Sequence, residues 1–383
     1  VAQTSLLFNI FARNNTGPVL ASVAGGFKKL GAVMGFAGVA AGIGSAVNKA
    51  AEFDKTIRLA GTTAGASSEQ MKVLASDALK IGTNSMFGAQ GAADAMLELA
   101  KGGISIAQMK AGALAGTMTL AAAGGLGLGD AATYMTNTLN TFGLSADKSS
   151  AVAAALAGGA NASTASVESL GMALSQVGPG AKNAGLSMQE TVGVLAAFDN
   201  AGIKGSDAGT SLKTMLTRLV PTTDAAAGAM RELGLDFTDA KGNFLPVGQV
   251  AQQLKDKLGG LNEESKTLAL TTLFGSDATR AASVLMDEGA AGIAKYTTAT
   301  SDLTAAQKLQ KEQESGAAGS FRKFHAAVDS LQIAFGTTLL PTITAVTTAV
   351  TSLLVPASEK IGPLMADVGR VLREDVAPFF TPI

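Results

Sequence analysis

The chain has 383 residues, with 29 Lys and Arg against 30 Asp and Glu, one His and no Cys. Balanced charge without a dense basic stripe interleaved with aromatics excludes stable electrostatic binding to nucleic acid. The missing cysteines exclude disulfides and thiolate metal sites and fit assembly in a reducing cytoplasm.

Apolar residues make up 47% of the chain but aromatics only 5%, and glycine fills 46 positions. Burial contributes roughly 25 cal/mol per Å², so an alanine-rich core gains little per side chain. Each glycine inside a helix costs about 1 kcal/mol relative to alanine. The expectation is of many helices, each weakly held.

Residues 5–13, SLLFNIFAR, fit a short strand or a helix and end at a turn signal, NNTGP. The N-terminus lacks the basic and apolar regions of a secretory signal. An uncharged Gly and Ala run covers 30–47, with Gly31 and Gly35, then Gly38 and Gly42, each four apart. That spacing lets helix backbones approach closely. It reads as a tightly packed helix, with a membrane span as the other reading.

From Ser67 to Val220 one device recurs. Gly103, Gly143 and Gly185 are each followed by Ile or Leu and then Ser. Ser105 with Gln108 and Ser187 with Glu190 fit the capping box, and Ser145 keeps only its capping oxygen. Each interval holds two helix-length segments around a Gly-rich break, which predicts stacked helical hairpins. Residues 233–248, LGLDFTDAKGNFLPVG, place two short apolar stretches around turn residues and predict a small β-hairpin. Helices follow over 247–258 and 263–274. Ser276 is placed to cap the next one, which turns Ala281, Val284 and Leu285 inward.

The stretch 301–325 is polar and charged, whereas 330–358 holds no ionisable side chain. Within the latter, Ile343, Val346, Val350 and Leu353 form a heptad seam suited to a bundle of identical chains, trimeric or hexameric. The predicted organisation is an N-terminal segment at 1–52, a core of helical hairpins at 53–300, a polar linker or helix at 301–329 and a Thr-rich helical segment at 330–383. The fold class is all-α with one small β-hairpin and an extended helical C-terminal part.

No reactive constellation accompanies these elements. His325, between Phe321 and Phe324, reads as a packing residue, and one His without Cys builds none of the common zinc sites. The GGLGLGD stretch follows a helical run instead of a strand, which argues against a phosphate loop. Asp236 and Asp239 lack the alternate oxygens of a calcium loop. Glu52 and Asp54 are two apart, so on a helix they point away from one another. No enzyme activity and no cofactor are expected.

The segment FDNAGIKGSDAGTSLKTMLTRL, residues 198–219, reads as helix, break, helix. Asn200 and Gly202 close the first helix and Ile203 makes the accompanying apolar contact. Ser206 and Asp207 supply the capping oxygen of the second helix, and Leu212, Met215, Leu216 and Leu219 form its apolar face. With its flanks from about Phe53 to Met286, this segment resembles the core region of the tail tape-measure proteins of long-tailed phages. Asn200, Gly202, Gly205, Ser206, Gly209, Leu212 and Leu216 carry the motif.

The resemblance implies a structural protein of the virion. Its copies lie in the lumen of the tail tube, direct tail assembly and length, and leave ahead of the DNA. Implied partners are other copies of the chain, the tail-tube protein, distal tail and tail-tip proteins, tail assembly chaperones and a host membrane, with no specific nucleic acid. Implied locations are the tail lumen, the host cytoplasm during assembly and the host cell envelope on ejection. The competing reading is a membrane-active pore built from the two uncharged runs. A wholly helical chain of this length would reach about 570 Å at 1.5 Å per residue, which suggests the N-terminal part of a longer product.

Overall fold

The computed structural model describes the backbone of residues 36–371, with side chains over 44–341 and at 344 and 345. The chain divides into two units, Phe53–Ser330 and the residues that flank it on both sides.

The recurrent Gly and Ser signals act as helix stops and starts. Gly103 and Gly185 take φ of 83° and 81°, a left-handed conformation that only glycine adopts without strain. The residue after each glycine then donates its N–H to a carbonyl five residues back, Ile104 to Leu99 and Leu186 to Ala181, both at 2.9 Å. The side chains of Ile104 and Leu186 are buried, which completes the stop. Ser105 with Gln108 and Ser187 with Glu190 then form reciprocal capping boxes. Ser67 with Gln70 forms a third. At Ser145 the expected cap is absent, because its hydroxyl turns to the Asp147 carboxylate.

These signals delimit four successive helical pairs. The first is α1 and α2 at Ser68–Thr83 and Gly88–Lys101. The second is α3 and α4 at Leu114–Gly124 and Leu128–Phe142, with α3 entered through a short turn, Ile106–Gln108, and a π-turn, Met109–Ala113. The third is α5 and α6 at Ser149–Ala162 and Val167–Asn183, and the fourth α7 and α8 at Met188–Asn200 and Gly205–Thr217. The second helices pack in a row, α2 on α4, α4 on α6 and α6 on α8. The first helices pack likewise, α3 on α5 and α5 on α7. Neighbouring pairs thus stack as in an α-solenoid.

The array is knitted by glycine. A Cβ at Gly209 would lie 2.3 Å from the Ala173 carbonyl oxygen, and one at Gly116 would lie 2.5 Å from Ser149 Cβ. Backbones touch where larger side chains would hold them apart, so the alanine-rich core is close-packed.

Beyond the array come α9 (Asp224–Leu233), α10 (Val247–Leu258) and α11 (Glu263–Phe274). The β-hairpin expected over 233–248 is not formed, and no strand occurs among the described residues. A single antiparallel bridge joins Thr238 to Phe244. The Asp239 carboxylate accepts the N–H groups of Lys241 (2.8 Å) and Asn243 (2.9 Å), curling the segment into a tight loop. Pro246, which has no N–H, ends the pairing after Leu245 and leads into α10.

The chain then returns along the array. Helix α12 (Ser276–Thr300) packs on α8, α7 and α5, and α13 (Ala305–Glu314) on α5 and α3. Ser276 does not cap α12 as expected. Gly275 holds the cap position without a side chain, and the Ser276 hydroxyl bonds Asp277 at 3.2 Å. Ala281 and Leu285 are buried and Val284 half-buried. The polar stretch after residue 301 packs into the array, with Ala305 and Ala306 buried. Its turn is fixed by Asp302, whose carboxylate is held down at about 2 by hydrogen bonds from Thr304 and Lys308. Helix α14 (Gly316–Val371) follows.

In the flanking unit, a helix ending at Thr63 begins at Phe36, and its Lys49 donates to Gln332 Oε1 at 2.7 Å. A Cβ at Gly336 would lie 2.1 Å from the Ala46 carbonyl oxygen, so these two backbones also touch.

Candidate functional site

The motif at 198–219 sits at the junction of α7 and α8, where four parts of the core meet. Gly202 takes φ of 85°, and Ile203 donates to the Phe198 carbonyl at 2.9 Å with its side chain buried. Phe198 itself is fully buried. Ser206 and Asp207 do not cap α8. Helix α8 begins one residue before Ser206, after Lys204, and no side chain caps it. Instead the Gly205 N–H reaches Ser169 Oγ on α6 at 3.0 Å, and Asp207 pairs with Arg280 on α12 at 2.8 Å.

Asp199, only 2% exposed, is the centre of this junction. Thr164 Oγ1 donates to its Oδ1 and Ser169 Oγ to its Oδ2, both at 2.9 Å. Lys204 Nζ lies 3.5 Å from Oδ1. Beside it Asn200 Oδ1 accepts from the Thr164 N–H at 2.8 Å, and Asn200 Nδ2 donates to the Tyr296 hydroxyl at 2.7 Å. The carboxylate is thereby satisfied by hydroxyls and one ammonium, as a buried charge must be. Gly209 brings α8 against α6, while Leu212 and Leu216 are buried in the core. The arrangement positions helices, and it contains no nucleophile paired with a base.

Thr164, Ser169 and Tyr296 were not singled out by the sequence. Their roles come from contacts 30 to 96 residues away in the chain, and no local spacing announces such contacts.

Other expected residues fall elsewhere. His325 is exposed, its ring 5.1 Å from that of Phe321 and 6.0 Å from that of Phe324. Asp54 accepts from Arg58 at 2.6 Å. In GGLGLGD, Gly125 closes α3 and Gly127 precedes α4, with no strand before the loop. Among the described residues no group of His, Cys, Asp or Glu could hold a metal ion, and no helix is long and apolar enough to cross a membrane. Gly31 and Gly35 lie outside the described residues, while Gly38 and Gly42 lie within the helix that begins at Phe36. Ile343, Val346, Val350 and Leu353 lie along α14, with side chains outside the described ones.

A family model described as phage-related minor tail protein matches residues 75–275, more than half of the chain. The chain belongs to this family. The tape measure protein of Pneumococcus phage Dp-1 is 30% identical over 323 residues, 84% of this chain and 28% of that protein. The probable tape measure protein of Escherichia phage P2 is 31% identical over 272 residues, 69% of this chain and 33% of that protein. The chain thus spans about a third or less of the length of these relatives. No solved structure matches it. Membership in the minor tail protein family makes the chain a phage tail protein and supports the resemblance read from residues 198–219.

Proposed function

We propose that the chain is part of a tape measure that occupies the lumen of the tail tube, directs assembly and length, and is expelled ahead of the DNA. The observation that carries this reading is the alignment of 84% of the chain with the tape measure protein of phage Dp-1. Copies associate through the seam of Ile343, Val346, Val350 and Leu353 on α14, a helix of 56 residues. The Gly31, Gly35, Gly38 and Gly42 run supplies a second close-packing surface. Partners are the tail-tube protein, distal tail and tail-tip proteins and assembly chaperones. The organisation follows the chain: a segment at 1–52, the helical hairpins at 53–300, the polar stretch at 301–329 and the seam-bearing part at 330–383.

Tail length tests this reading. Insertion of about 28 residues, four heptads, into the seam after Leu353 is expected to lengthen tails by ~42 Å at 1.5 Å per residue. Electron micrographs of purified particles measure it. Tails of parental length would remove the ruler function from this chain.

A further inference from the structure

The two ends of the core meet. Near its start, Thr56 Oγ1 accepts a hydrogen bond from Gln90 Nε2 at 3.1 Å. At its end, Ser330 Oγ accepts from the Ala89 N–H at 2.9 Å, and a Cβ at Gly88 would lie 3.3 Å from the Ala326 carbonyl oxygen. Ala89 and Gln90 are neighbours, with Cα atoms ~3.8 Å apart. The chain therefore enters the core on one side chain of α2, runs out through four helical pairs, returns through α12 and α13, and leaves one residue from where it came in.

The flanking unit, taken alone, gives the same sense. Lys49 meets Gln332 and Ala46 meets Gly336, so the residue numbers run in opposite directions along the two helices. Residues 44–52 retrace the start of the 331–341 stretch and do not extend it.

A ruler's length is the end-to-end displacement of its chain, not its residue count. Drawn out as one helix, the roughly 280 residues of the core would span about 420 Å. Folded with joined ends, they displace the chain by only the reach of a few side chains. We infer that Phe53–Ser330 is an uncounted body on the tape measure, and that tail length is set by residues outside it. This rests on the proposed tape-measure function.

The test is a deletion of 53–330 in the full-length protein, closed by a short Gly-Ser turn, with tail length read from micrographs. The seam insertion serves as the control for the ruler reading. Tails within about 40 Å of parental length uphold the inference, and tails shorter by hundreds of ångströms overturn it. Were the seam insertion to leave length unchanged, the ruler reading itself would fail, whatever the deletion gave.

A deletion that yields no tails passes the decision to a milder variant. This carries about 28 flexible Gly and Ser residues after Pro221, in the exposed stretch between α8 and α9. Parental tail length then upholds the inference. Lengthened tails overturn it, because they would mean that the core is strung out along the tube.

Discussion

Gly158→Val is expected to lower the melting temperature of the chain by about 6–12 °C, corresponding to a loss of about 3 kcal/mol. A Cβ at position 158 would lie 2.2 Å from the Ala299 carbonyl oxygen and 3.2 Å from Thr300 Cα. The obstacle is backbone, which cannot rotate away as a flexible side chain can, so α12 must be pushed off α5. That displacement also strains the bond from Thr300 Oγ1 to the Gln189 carbonyl on α7. Gly228→Ala is the matched control, since a Cβ there meets nothing within 4 Å. It should stabilise α9 by about 0.5–1 kcal/mol. Calorimetry on the two variants decides the matter, and equal melting temperatures would refute close backbone packing as the basis of the core.

Asp199→Ala is expected to destabilise the chain by about 3 kcal/mol, read as a lower urea midpoint at unchanged slope. The substitution removes the buried acceptor shared by Thr164, Ser169 and Lys204, and with it the bonds that tie α7 to α6. Asp199→Asn keeps one carbonyl acceptor and should lose about half as much. An unfolding free energy within about 0.5 kcal/mol of the parent for the alanine variant would mean that the junction is held by Phe198, Leu212 and Leu216 alone, and the hub reading would be wrong.

The helical content and its punctuation were legible in the sequence because both are local. Ser105 and Ser187 lie three residues from the group that answers them, and Gly103 and Gly185 precede an apolar residue whose burial completes the stop. Ser145 misled because Asp147 competes for its hydroxyl at shorter range. The segment 233–248 misled because turn chemistry around Asp239 is common to hairpins and to tight loops. What distinguishes them is how many pairs follow, and Pro246 cuts that number short.

The cohesion of the core was less legible. An area argument treats Ala and Gly as poor core residues, yet Gly116, Gly158 and Gly209 let backbones meet directly, and that gain depends on which helices face one another. The junction at Asp199 was half legible. The helix stop at Asn200 and Gly202 is written locally, whereas Thr164, Ser169 and Tyr296 are brought in by the stacking of α6 and the return of α12. The meeting of Thr56 and Ser330 at α2 is set by the whole path between them, so no window of sequence contains it.

That meeting is the most direct point of test for the account. The chain has no cysteine, so Lys55→Cys and His325→Cys, both at exposed positions, admit a single pair of spin labels. Pulsed dipolar measurement on the purified chain should give one narrow distribution centred below about 30 Å, allowing for label length and the ~1.5 Å rise per residue between His325 and Ser330. A broad distribution, or one centred beyond about 50 Å, would contradict a core whose path closes on itself.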